Sequence, residues 1–157
     1  MNDDAPVVER ETFETAYADI APLLDAHWEE LALFKDDIPL DVDWPAYRSA
    51  YERGFIRAYG VRIGHNRRMI GYAVFQTLER HSHYAHRWAV NDVLWIAPEH
   101  RNLGVGTALC DAFEADLRAG GPIVIVIETK EHSPMLAALL RARGYLTIGP
   151  VLGKRFA

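Results

Sequence analysis

The stretch Asp92–Leu109, DVLWIAPEHRNLGVGTAL, decides the fold of this 157-residue chain. An apolar run ends at Ile96, and Pro98 removes a backbone donor and stops strand pairing. The turn Arg101-x-x-Gly104-x-Gly106 then leads straight into a helical stripe of Val105, Leu109, Phe113 and Leu117. Two glycines let the backbone curl tightly and approach a ligand with no side chain in between. Amides freed at the helix start point outward, with the positive end of the helix dipole behind them. That arrangement suits a phosphate or pyrophosphate. A Walker loop would need Gly-Lys-Ser/Thr, and Val105-Gly106-Thr107 has no lysine. A dinucleotide fingerprint would need Gly or Ala where Leu109 stands, and would follow the first strand.

Working outward, Arg87 to Ile96 is a strand, and Phe55–Ile63 and Met69–Leu78 are strands joined by the hairpin segment Gly64-His65-Asn66-Arg67-Arg68. Before them, Ile20, Leu24, Trp28 (or His27) and Leu31 recur at helical spacing, with Asp19 as the expected N-cap and Pro22 in the first turn. This helix is expected to be the first element. Trp44 to Arg53 predicts a second short helix stopped by Gly54. After the helix from Gly104 to Arg118, Ile123–Ile127 is apolar throughout, as expected of a strand buried on both faces. Ser133-Pro134 starts a last helix, Gly144 ends it, and Tyr145 to Phe156 is expected to close the chain as one or two strands. The fold class is therefore α/β: a mixed sheet, with an antiparallel meander followed by a β-α-β crossover.

Length predicts a single domain over residues 1–157, and a chain 50% apolar and 25% charged is expected to be globular. No apolar run approaches the ~20 residues of a membrane helix. The single cysteine, Cys110, excludes an internal disulfide and suits a reducing cytoplasm. The net charge of −5 hides an asymmetry, with fourteen Asp/Glu against three Lys/Arg in residues 1–52 and eight against fourteen thereafter. That division suits a polyanionic cofactor on one side and a cationic substrate on the other, or else only solvated acidic helix faces. Charge alone does not point to nucleic acid.

The segment Ile96-Ala97-Pro98-Glu99-His100-Arg101-Asn102-Leu103-Gly104-Val105-Gly106 resembles the pyrophosphate motif of the GNAT acetyltransferases. The order of elements and the ending Leu139-Leu140-Arg141-Ala142-Arg143-Gly144-Tyr145 are also similar to that family. A narrower likeness, carried by His83-Tyr84, Ala89, Asp92, Arg101 and the run Leu23–Glu30, is to GNAT proteins of tailed phages and their bacterial relatives.

The resemblance implies an acetyl-CoA-dependent N-acetyltransferase in which a primary amine attacks the thioester directly. Acetyl-CoA would be held by Trp95, Ile96, Ala97, Arg101, Asn102, Leu103, Gly104, Val105, Gly106, Thr107 and Ser133. The pantetheine arm would lie between the strands Arg87–Ile96 and Ile123–Glu128. Relatives often carry a carboxylate where this chain has Val90. Asp92, two residues on and so on the same face, is the first candidate for general base, beside a purely structural role. Glu128 is the second. Relatives also carry an acid tyrosine on the last helix where Leu140 stands; either another group such as Tyr84 substitutes for it, or the thiolate leaves unassisted. Ser133 replaces the family's asparagine.

The histidines of His81-x-His83-x-x-His86 are expected to face solvent, and no metal is expected. Cys110 is expected in the core. Trp28, Phe34, Trp44, Tyr47 and Tyr51 are candidates for an acceptor cleft, and Asp36, Asp37, Asp41 and Asp43 for attracting a cationic amine. Two other functions stay open. One is a weak or inactive CoA-binding protein acting through protein contacts. The other is acetylation of a modified nucleobase, for which Arg57, Arg62, Arg67 and Arg68 would have to form a basic surface. A homodimer is compatible with the family.

Overall fold

The computed structural model describes residues 5–83, 85–130 and 133–149. The chain opens with a strand, not a helix: β1 (Val7–Arg10) pairs antiparallel with β2 (Ile56–Ile63). Helix α1 (Phe13–Ile20) starts earlier than the hydrophobic stripe predicts. Its N-cap is Thr12, whose hydroxyl accepts from the Thr15 amide while the Thr15 hydroxyl accepts from the Thr12 amide. Asp19 is therefore no cap; it lies inside α1 and pairs with Arg62 at 2.7 Å. Pro22 cannot donate and crowds the preceding turn, so the helix tightens into a 3-10 turn at Ala21–Leu23 before α2 (Leu24–Leu31). Helix α3 (Trp44–Glu52) is capped by Asp43, which accepts from the Ala46 amide at 2.9 Å, and Gly54 follows in the left-handed region.

Strands β2, β3 (Arg68–Leu78) and β4 (Arg87–Ile96) form the expected meander. Helix α4 (Val105–Ala119) crosses over to β5 (Ile123–Val126), which pairs parallel with β4, and α5 (Pro134–Ala142) follows. The sheet order is β1-β2-β3-β4-β5. Two expectations fail here. Val124 is 37% exposed, so β5 is not buried on both faces. Tyr145 to Gly149 forms no strand, and residues 150–157 lie outside the described residues.

Each sheet face has its own core. Val105, Leu109, Phe113 and Leu117 of α4, with Leu140 of α5, cover Tyr59, Val61, Phe75 and Ala89. On the other face, Ala16 and Ile20 of α1 cover Ile56, Ala58, Tyr72, Val74 and Trp95.

Two irregularities in β4 position the site. The β3–β4 register shifts between Val74 and Phe75, whose partners are Val93 and Asn91, so Asp92 is the extra residue of a bulge. The β4–β5 ladder ends at Val90↔Val126. Beyond it the strands part, and the Asn91 side-chain oxygen accepts from the Glu128 amide at 2.6 Å.

Candidate functional site

The loop between β4 and α4 combines a tether with a set of open amides. Arg101 donates from Nε to the Ile96 carbonyl at 2.8 Å and from Nη2 to Glu30 at 2.7 Å. Glu30 Oε2 also accepts from the Trp95 indole at 2.8 Å. Arg101 thus ties the loop to α2 and β4. Past it, Asn102 and Gly104 adopt left-handed φ values of 65° and 77°. The first helical bond of α4 runs from the Ala108 amide to the Gly104 carbonyl at 3.0 Å, so the amides before it have no helical acceptor.

The two glycines serve different ends. A Cβ on Gly104 would meet nothing within 4 Å, so glycine is required there by backbone conformation and the space around it is open. A Cβ on Gly106 would lie 3.2 Å from Leu139 Cδ2, so glycine there permits close packing of α4 on α5. Leu103 and Thr107 are exposed beside these amides. A phosphate-bearing ligand fits this donor set.

The residues expected to meet the pantetheine arm divide by strand parity. The Ala97 amide donates to the Ile70 carbonyl at 2.9 Å and is engaged with β3. Antiparallel alternation then turns the backbone groups of Trp95 toward β3 as well and those of Leu94 and Ile96 toward the gap. The Trp95 side chain is 4% exposed and packs in the core of the α1–α3 face, away from the gap.

A cleft of about 540 Å3 lies between α1–α3, the bulge of β4 and the start of α5. Asp92, Glu128 and Ser133 all line it, as do Trp28, Trp44, Tyr47 and Tyr51. Phe34, Asp36 and Asp37 do not, whereas Asp41 and Asp43 stand at its exposed edge. Asp92 Oδ2 accepts a short hydrogen bond from the Tyr47 hydroxyl, and Oδ1 accepts from Gln76 at 3.3 Å. Burial, reinforced by the bond to Asp92, raises the Tyr47 pKa, so this phenol keeps its proton and donates it. His27 also lines the cleft, with Nδ1 2.6 Å from the Tyr72 hydroxyl and its ring stacked on Trp95. Burial lowers its pKa to about 4 despite the nearby charges of Glu30 and Asp92.

The model of the acetyltransferase (GNAT) family matches residues 20–145, most of the chain. The chain belongs to the GNAT acetyltransferase family. Acetyl transfer from acetyl-CoA is that family's chemistry, and the open loop amides suit the cofactor's phosphates. The fold is also similar to solved structures across nearly their whole length. A ribosomal-protein-alanine N-acetyltransferase from Brucella melitensis biovar Abortus 2308 superposes with a TM-score of 0.72 at 16% identity, covering 98% of this chain and 100% of that one. An aminoglycoside acetyltransferase from an uncultured soil sample, in complex with sisomicin, gives 0.74 at 12% identity over 97% and 95%. An acetyltransferase of Trypanosoma brucei gives 0.68 at 15% identity over 97% and 100%. No curated protein sequence matches.

Other expected site residues of this GNAT chain lie elsewhere. Tyr84 is outside the described residues. Leu140 is in the core under α4, and the Tyr145 hydroxyl donates to Glu114 at 3.2 Å on that same side of the sheet. Cys110 is 1% exposed and burial pushes its thiol up to about 11, so it offers no nucleophile. The His81 and His83 rings pack on each other and His81 also on Trp88, and no metal-binding group of three occurs among the described residues. The proposed basic surface is not free. Arg57 pairs with Asp116, Arg62 with Glu11 and Asp19, and Arg67 with Glu9, while Arg68 lies against His100.

Proposed function

We propose that this protein transfers an acetyl group from acetyl-CoA to a primary amine by direct attack within a ternary complex. The observation that carries the proposal is the position of Asp92. The bulge places its carboxylate in the cleft beside the point where β4 and β5 part. Tyr47 and Gln76 use two of its roughly four lone-pair positions, fixing its orientation and leaving acceptor capacity for an amine or an intervening water. Glu128 lines the same cleft and is the alternative base. Acetyl-CoA supplies an activated thioester whose thiolate is a good leaving group, consistent with Leu140 in place of an acid tyrosine. The amides of residues 102–107 hold the phosphates, and Ser133 stands where α5 meets the gap. The likeness to GNAT proteins of tailed phages bears on lineage more than on acceptor.

Calorimetric titration with acetyl-CoA, followed by thiol release on a panel of primary amines, tests this reading. Asp92→Asn should bind acetyl-CoA as the wild type does and lose roughly 10²-fold or more in kcat. The lost tyrosine favours a second reading, a CoA-binding protein with little turnover. Binding of acetyl-CoA with no thiol release on any amine would replace the first reading with the second.

A further inference from the structure

The wall of the cleft, taken with the proposed transfer to an amine, narrows the acceptor. Its rings form a continuous ladder. Phe13 stacks on Tyr17 at 6.0 Å, Tyr17 meets Trp44 edge-on at 4.8 Å, and Trp44 meets Tyr47 at 6.1 Å. The last ring of the ladder hydrogen-bonds Asp92. Tyr17, 45% exposed, is where the ladder meets solvent.

Two of the polar side chains lining the cleft are engaged, His27 with Tyr72 and Tyr47 with Asp92, and most of the other lining residues are apolar or aromatic. The faces left to a ligand are therefore mostly carbon. Of the acidic residues at the mouth, Asp43 commits Oδ1 to capping α3, and both it and Asp41 are exposed and screened by solvent.

From these observations we infer that the acceptor is a primary amine carried on an apolar, ring-bearing body, with its nitrogen at Asp92 and its ring along Tyr17, Trp44 and Tyr47. Such a ligand gains ring–ring contact and leaves no polar group stranded. A polyhydroxylated amine would lay its hydroxyls against ring faces that offer them few partners. A polyamine has no ring to match the ladder, and the carboxylates it could use are Asp92, Glu128 and the solvent-screened Asp41 and Asp43.

This inference rests on the proposed function, so its test reads binding and turnover separately. Quenching of tryptophan fluorescence in the CoA-saturated protein measures binding of 2-phenylethylamine, tryptamine, spermidine and an aminoglycoside, with Trp44→Phe identifying the cleft signal. Thiol release measures turnover of the same amines. The expected result is a Kd for the aryl amines at least roughly tenfold below those for spermidine and the aminoglycoside, a difference of about 1.4 kcal/mol, with kcat/KM in the same order. Tyr17→Ser, at an exposed position that leaves the core intact, should raise the aryl-amine Kd several-fold and leave the acetyl-CoA Kd unchanged. Aryl-amine binding without turnover would support the inference and overturn the proposed function. Preferred turnover of spermidine or the aminoglycoside would do the reverse, and an absence of both binding and turnover would overturn both.

Discussion

Removing the Glu30 carboxylate should weaken the fold and loosen the loop between β4 and α4 together. One oxygen, Oε2, accepts from Trp95 at 2.8 Å and from Arg101 at 2.7 Å, and Arg101 in turn holds the Ile96 carbonyl. Both charged side chains are about one-third exposed, at 35% for Arg101 and 30% for Glu30, so solvent discounts the ion pair itself. The larger cost falls on Trp95, 4% exposed, whose indole N–H would lose its acceptor. An unsatisfied buried donor costs about 1–3 kcal/mol, which puts Glu30→Ala near 2 kcal/mol. For a chain of this size that corresponds to a fall of roughly 4–8 °C in Tm.

Glu30→Gln retains an acceptor and should lose about half as much. The Arg101 bond holds the Glu30 carboxyl below its usual range, so its stabilisation is present above pH 4.5 and is lost as pH falls through the lower folded value. The gap between wild type and Glu30→Gln should therefore shrink in acid. With one of its two anchors gone, Arg101 no longer fixes the loop before binding, and the acetyl-CoA Kd should rise roughly 3- to 10-fold. Calorimetric melts at pH 7 and pH 4, with acetyl-CoA titrations, measure all three effects. A Tm within about 1 °C of wild type, with an unchanged Kd, would refute the tether.

Two further predictions follow from buried groups. His27 stays neutral in the fold to about pH 4 but takes a proton near 6.5 when unfolded, so stability should decline as pH falls through that interval. Urea melts should show a His27 contribution of roughly 2 kcal/mol lost at pH 5, and His27→Asn, which keeps a hydrogen-bonding group beside Tyr72, should flatten the slope. Cys110 should resist iodoacetamide in the native protein and react only on unfolding, while Cys110→Ala should leave kcat unchanged; rapid native alkylation with loss of activity would contradict its burial.

The turn between β4 and α4 was legible because its requirement is local: two glycines, a preceding strand stop and a following helix stripe all fall within Asp92–Leu109. Strand β1 was not, since Val7–Arg10 is short, largely exposed and held by pairing with β2 instead of by any alternation of its own. The start of α1 was hidden because its capping box uses Thr15 where the familiar pattern has Glu or Gln. Asp92 was found by counting two residues from Val90, and the count holds only because the bulge falls at Asp92 itself and changes parity beyond it. Its partner Tyr47, 45 positions away, could be named as a cleft candidate but not paired with it, and nothing local announces that Glu30 would hold Arg101. The arginines around the β2–β3 hairpin looked basic in sequence because their carboxylate partners come from β1, α1 and α4.

The parting of β4 and β5 sets stability against use. Only four residue pairs join these strands, and Asn91 then offers a side-chain oxygen to the Glu128 amide. Asn91 acts as a wedge, meeting the hydrogen-bonding demand of β5 without letting the two backbones come together. A sequence that continued the ladder past Val126 would gain backbone bonds and melt higher, at the cost of the gap between the strands. The most stable version of this sheet would be a closed one, without the gap proposed for acetyl-CoA, and on that proposal selection for activity keeps this edge of the protein short of that optimum.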